Sequence, residues 1–220
     1  MLLTLAACTA DTAEPQGSVR FTSAACPADV VGALPDLRVT CGYLTAPELH
    51  AHPEGGTVEV FVARVRGPEP VPSDPLIVIG GKDIGAAVHY ADDIAPMPAR
   101  VGREIIVLEP RGTGHDRPAL TCPEVERFDE DHVGGSLADA DVESVFSEAV
   151  TACASSLRDR GVELSAFTLR ESAADVGDLV TALGLDAFNV ATYGYNSKIA
   201  FELLRRAPAG LRSVYMDSPV

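Results

Sequence analysis

The stretch of this chain best equipped for chemistry is Asn189 to Ile199, reading Asn-Val-Ala-Thr-Tyr-Gly-Tyr-Asn-Ser-Lys-Ile. Val190 to Tyr193 read as the end of a buried strand, and Lys198, Ile199, Ala200, Leu203 and Leu204 begin and continue a helix. Gly194 therefore falls at a sharp strand-to-helix turn. A nucleophilic serine is held on such a turn in the pattern Gly-x-Ser-x-Gly, where small flanking residues let the backbone fold tightly. Here the five positions are Thr192, Tyr193, Gly194, Tyr195 and Asn196, so glycine fills the serine slot. Glycine has no side-chain oxygen and cannot form an acyl intermediate. Loss of the serine from another triad enzyme lowers turnover by roughly a million-fold.

The neighbouring residues offer no replacement. Ser197 lies three positions on, about one helical turn, and its hydroxyl is expected to leave the site and serve the first turn of the helix. Thr192 is expected to pack at the strand end. The five histidines, at 50, 52, 89, 115 and 132, all precede the turn. His50 and His52, which flank Ala51 before Pro53, read as a surface turn and not as a ligand pair.

Five cysteines are present. Met1 to Ala7 is apolar and runs into Leu5-Ala6-Ala7-Cys8, which resembles the cleavage box of bacterial lipoproteins, where the cysteine is lipidated; a plain secretory signal is the alternative. With Cys8 set aside, Cys26, Cys41, Cys122 and Cys153 allow two disulfides in an oxidising compartment. Of the three pairings, Cys26 with Cys41 and Cys122 with Cys153 are local, and each would contribute about 3 kcal/mol by loop closure. There is no Cys-x-x-Cys and no His at ligand spacing, so neither metal nor cofactor is expected. A net charge of −15 with only 17 basic residues argues against a nucleic-acid partner. No run of about 18 apolar residues follows that could span a membrane, leaving a lipid anchor as the membrane contact.

The positioning elements follow in order. Thr9 to Gly17 is small and polar and reads as a tether, and Cys26 to Pro53, with scattered prolines and glycines, reads as a disulfide-pinned extension. This divides the chain into 1–8 as export signal, 9–25 as tether and 26–220 as the domain. Thr57 to Arg66 alternates as a long strand, with Val58, Val60 and Val62 on one face and Phe61, Ala63 and Val65 on the other. Leu76 to Ile79, ending in Gly80-Gly81, and Glu104 to Leu108 are continuous apolar runs that suit strands covered on both faces. Asp129 to Asp131 and Gly134-Gly135 read as loop. Asp141 to Arg160 carries Val142, Val145, Phe146, Ala149, Val150, Cys153 and Leu157 at helical spacing. Thr168 with Glu171 forms a capping box opening a helix with the buried stripe Val176, Leu179, Val180 and Leu183. The strand Ala187 to Thr192, the helix to Arg206 and a last strand Leu211 to Met216 complete the chain. Strands alternating with helices imply an α/β fold with a mostly parallel central sheet.

The ordered motifs Cys41-Gly42-Tyr43-Leu44, Gly80-Gly81, Pro110-Arg111-Gly112-Thr113-Gly114, Pro118-Ala119-Leu120-Thr121-Cys122-Pro123, Ala174-Asp175-Val176, Leu203-Leu204-Arg205-Arg206 and Asp217-Ser218-Pro219-Val220 resemble the secreted actinobacterial tripeptidyl-aminopeptidase-like α/β-hydrolases, relatives of proline iminopeptidases. The resemblance runs from about Cys26 to Val220. It implies a serine exopeptidase fold acting on peptide bonds, with the elbow serine on Gly194 and the oxyanion hole at Tyr195 and a Gly-rich loop falling on Gly80-Gly81-Lys82-Asp83. The second half of that loop departs from the family pattern, and in this fold the acid and histidine follow the nucleophile. Only Val220 lies beyond Pro219, so the resemblance implies a C-terminally truncated domain without lid, last strands or acid/base half. The expectation is a protein without hydrolase activity, binding peptides or completed by a separate C-terminal chain.

Overall fold

The computed structural model describes residues 19–67, 72–80, 94–134 and 142–219. Cys8, Gly81, Lys82, Asp83 and His89 lie outside them, so the expected lipidation site and three of the four residues of the Gly-rich loop are not placed.

Among the described residues seven strands form one sheet in the order β1 (Arg20–Ala24), β2 (Arg38–Pro47), β3 (Thr57–Arg66), β5 (Ile105–Leu108), β4 (Leu76–Ile79), β6 (Phe188–Tyr193) and β7 (Leu211–Asp217). Neighbours from β1 to β5 run antiparallel, whereas β5, β4, β6 and β7 are parallel. The parallel half is the part made of short apolar runs, as expected for strands covered on both faces. One face packs Val60, Val62, Ile77, Ile79, Ile106 and Val190 against α5 (Leu169–Ala182) and α6 (Ser197–Arg206). The other packs Phe61, Ala63, Val65, Val78, Ile105 and Ala191 with Val30 and Leu34, at and just beyond α1 (Ala28–Ala33), and with Ile94, which precedes α2 (Met97–Val101). The two faces expected for the long strand β3 are thus both buried.

Several elements differ from the sequence reading. β1 lies inside the stretch read as tether, paired to β2 from Arg20 opposite Thr45 to Ala24 opposite Cys41. β2 itself is a ten-residue strand where an irregular extension was expected. The cause is pairing: prolines and glycines obscure the alternation of β2, but β3 supplies a full-length partner from Arg38 opposite Arg66 to Pro47 opposite Thr57. Asp129 to Asp131 are helical, within α3 (Pro123–His132), because Pro123 at N1 and acidic residues in the first turn start a helix well.

The apolar stripe of α4 (Val142–Asp159) is buried only at Cys153 and Leu157; Val145, Phe146 and Val150 are 41%, 43% and 43% exposed. Disulfides join Cys26 to Cys41 and Cys122 to Cys153, the two local pairings. The second ties the start of α3 to the buried end of α4, which explains why burial concentrates there.

Candidate functional site

β6 delivers its last residue, Tyr193, in extended conformation (φ −130°, ψ 141°), and Gly194 then turns with φ +51°. A side chain at that φ is strained, and strain of this kind clusters at functional turns. Gly194 to Asn196 form one 3₁₀ turn before α6 begins at Ser197. The turn is tied from inside: Thr192 and Ser197 are both fully buried, and the Thr192 hydroxyl donates to Ser197 Oγ at 3.3 Å. Thr192 packs in the core as expected. The Ser197 hydroxyl turns inward to the strand end, and this bond is the physical reason it does not project along the helix surface.

Of the expected oxyanion positions, Gly80 and Tyr195 are described. The Gly80 N–H donates to Leu108 O at 2.8 Å, so the sheet consumes it, contrary to the expectation for this residue. Gly80 also takes φ +59° beneath the Asn196 side chain, where a Cβ would meet Nδ2 at 2.7 Å. Tyr195 lies in the first turn of the helical segment, where N–H groups lack intrahelical acceptors. Its ring is 52% exposed, with Lys198 Nζ 4.4 Å from the ring centroid.

Two hollows border the turn. A cleft of about 450 Å³ is lined by Gly194, Tyr193, Met97, Arg100, Tyr215 and Asp217. A second, of about 550 Å³, touches Tyr195 and Asn196 and is walled by Leu120, Phe167, Leu169 and Ile199, with Arg111, Thr113 and Ser172 among its polar lining. Among the described residues no histidine lines either. His115 lies between Glu109 Oε1 (3.2 Å) and Asp29 Oδ2 (3.1 Å), His132 bonds Phe128 O (2.7 Å), and His52 stays on the surface beside Glu54. Asp116, pushed well above the usual carboxylate range by burial, accepts from the Phe61 N–H at 2.6 Å and pins β3 to the loop after β5.

The densest charge is elsewhere. Arg111 donates through Nε and Nη2 to both oxygens of Asp175 (2.8 and 2.5 Å), and both side chains are 1% exposed. Its remaining donors reach the carbonyls of Pro47, Glu48 and Ala166. Burial pushes the Asp175 carboxyl upward against the pull of Arg111. Glu171 accepts from the His50 backbone N–H at 3.1 Å and pairs with His50 Nδ1, while His50 Nε2 meets Asp178 Oδ2 at 2.9 Å.

This corrects two readings. His50 is not a plain surface-turn residue, and Glu171 does not return to cap its own helix, because the imidazole of the β2–β3 loop is the stronger partner. Thr168 still accepts from the Glu171 N–H, so half of the capping box is kept. Nothing in the spacing of His50 announced an ion pair 121 residues away. Ligand atoms of His50, Asp175 and Asp178 lie within 4.8 Å of one another, a spacing a cation could use, but Asp175 is held by both arms of Arg111. The set is an ion-pair network.

The antiparallel-to-parallel order of the sheet, helices on both faces and the tight turn ending β6 define an α/β-hydrolase fold. No family model matches the chain. It is similar to YuaR of Escherichia coli (strain K12), a hydrolase by name, at 24% identity over 147 residues, covering 66% of this chain and 28% of that one. Among solved structures it resembles the proline iminopeptidase of Mycobacterium smegmatis (18% identity, TM-score 0.46, 78% of this chain and 42% of that one). It also resembles a proline iminopeptidase-related protein of Thermus thermophilus (17%, TM-score 0.43, 83% and 45%). The 2-hydroxy-6-oxo-6-phenylhexa-2,4-dienoate hydrolase of Rhodococcus sp. strain RHA1 is a third (12%, TM-score 0.46, 83% and 48%). The chain thus spans less than half the length of each of these proteins.

Proposed function

We propose that this chain is an exported, lipid-anchored relative of serine exopeptidases that holds peptides at the elbow without hydrolysing them. The observation that supports this most is Gly194: the turn is kept, with φ +51° and an open cleft before it, and no hydroxyl stands there. A hydroxyl becomes a nucleophile only with a base beside it, and Ser197, the nearest serine in sequence, is buried against Thr192. The first turn of the helical segment and the two hollows leave room for an extended peptide, with apolar walls for a side chain. A fluorophosphonate probe is the direct test; no labelling is expected, and labelling at any residue overturns the reading. Calorimetric titration with short peptides tests the binding half, which fails if millimolar peptide gives no heat. The two disulfides favour an oxidising compartment, and Cys8→Ser is expected to move the protein from the membrane fraction to the soluble one.

A second reading is favoured by β7. It ends the strand order and its burial is shallow, with Tyr215 57% exposed. An open edge strand is a template for another strand. On this reading a separate C-terminal chain completes the sheet. Co-expression with the polypeptide encoded directly downstream tests it, and failure of the two to co-elute removes it.

A further inference from the structure

The β2–β3 loop, residues 48–56, is closed on itself by Glu48 N–H to Gly56 O (2.8 Å) and is fixed to the rest of the domain at its start, where Arg111 donates to Glu48 O, and at His50. The chemistry of that contact depends on one proton. Both ring nitrogens of His50 face carboxylate oxygens, Nδ1 toward Glu171 and Nε2 toward Asp178. A neutral imidazole carries a single N–H, so it would satisfy one carboxylate and turn a lone pair toward the other. The imidazolium donates to both.

We propose that His50 is a protonation latch: its imidazolium clamps the loop of residues 48–56 to α5, and loss of one proton releases it. Each group facing the ring is accounted for. On α5 these are Glu171, Asp178 and, one turn between them, Asp175, which Arg111 already neutralises. Arg111 comes within 3.9 Å of Glu171 but spends its donors on Asp175 and three carbonyls. From α6, Arg206 lines the same hollow as His50 and Asp178 and donates to Arg170 O. Within the loop itself, His52 and Glu54 pair with each other and are mostly exposed, while Glu48 offers its carbonyl to Arg111. Among the described residues His50 is the only cation paired with Asp178. The geometry sets the direction of its pKa: burial alone would lower it, but the hydrogen bonds to Asp178 and Glu171 raise it above 6.5.

The latch reaches further than the loop. Arg111 is held in position by Pro47 and Glu48, the residues that lead into the loop, and Arg111, Thr168 and Ser172 line the 550 Å³ hollow beside the elbow. Release of the loop therefore loosens one wall of that hollow. The latch stands on its own geometry and holds whether or not the hollow takes a peptide.

The sign follows from the raised value. The clamp is fully present below pH 6.5 and is lost as pH rises through the higher value of the folded protein. NMR titration of the His50 ring together with amide hydrogen exchange of residues 48–56, corrected for intrinsic rates, between about pH 5.5 and 9 tests it in the intact chain. The ring is expected to titrate above 6.5, and loop exchange to rise between 6.5 and that midpoint, by at most about tenfold per pH unit as one coupled proton allows, and to level off beyond it. Asp178→Asn is expected to move the midpoint down by about one unit, and His50→Gln to remove the step, while His52→Gln leaves it in place. A wild-type loop whose protection is flat across this range overturns the proposal, as does a step that survives His50→Gln or follows His52.

Discussion

Arg111 and the turn at Gly194 border the same hollow, yet they are built in opposite ways. Arg111 is buried and uses all five N–H donors, two on Asp175 and three on carbonyls from the β2–β3 connection and the segment before α5. The Gly194 turn carries no charge of its own, and the two buried hydroxyls that flank it are joined, Thr192 donating to Ser197. Paired charge thus holds loops and helices together on one side of the hollow, and backbone geometry with buried side chains forms the other. The difference teaches that the turn is held by backbone geometry and packing, and the far wall of the hollow by paired charge.

The largest expected effect breaks the charged side of this contrast. Asp175→Ala leaves the Arg111 guanidinium buried without its carboxylate, a loss of about 3–5 kcal/mol, to be read from urea denaturation. A loss below about 1 kcal/mol would mean that the carbonyls alone satisfy Arg111 and that the network is not the brace described. Next come the glycines of the elbow. Gly80→Ala places a methyl at φ +59° and 2.7 Å from Asn196 Nδ2, and is expected to destabilise by about 1–3 kcal/mol. Gly194→Ser costs about 1–2 kcal/mol for its left-handed φ alone, and the introduced hydroxyl is expected to stay unlabelled by fluorophosphonate, since no described histidine lines either hollow.

A smaller effect comes from His50→Gln. It is expected to cost about 1 kcal/mol below pH 6.5, with the difference from wild type shrinking as pH rises through the raised value of the folded-state imidazole. Below this window Glu171 adds a second dependence: burial would raise its carboxyl, but the bonds from His50 hold it below 4.5, so its contribution is present above that value and fades as pH falls through the lower one. Thermal unfolding of both proteins from about pH 4 to 9 checks it; parallel curves would show that the charge on His50 contributes nothing.

How much of this was legible in sequence depended on the range of the interaction. The elbow was readable because strand, glycine and helix are contiguous from Val190 to Ala200, and the central strands because their residues are apolar without interruption. Both disulfides fell on the local pairings for the same reason. β1 and β2 were not readable: Arg20 to Ala24 has weak alternation, and its strand state comes from the register with Thr45 to Cys41. The pairings of His50 with α5 and of Arg111 with Asp175 span 121 to 128 and 64 residues, and no local pattern reports such a contact. Gly80 was misassigned because spacing cannot tell a free N–H from one bonded to Leu108.

The smallest expected effect concerns α4, where period and burial part company. Val145, Phe146 and Val150 repeat at helical spacing, which alone predicts a core-facing stripe, but the core is reached only by Cys153 and Leu157. Cys122 bonded to Cys153 holds the helix by its C-terminal half, and in the N-terminal half Phe146 meets Phe128 of α3, ring centroids 5.2 Å apart. Replacing Val145 and Val150 together by lysine is therefore expected to change stability by less than about 0.5 kcal/mol per site, against the roughly 2 kcal/mol that burying each side chain would imply. Denaturation midpoints separate the two outcomes. A loss of several kcal/mol would mean that these residues are covered in solution, and the exposed stripe would then be a surface that something occupies.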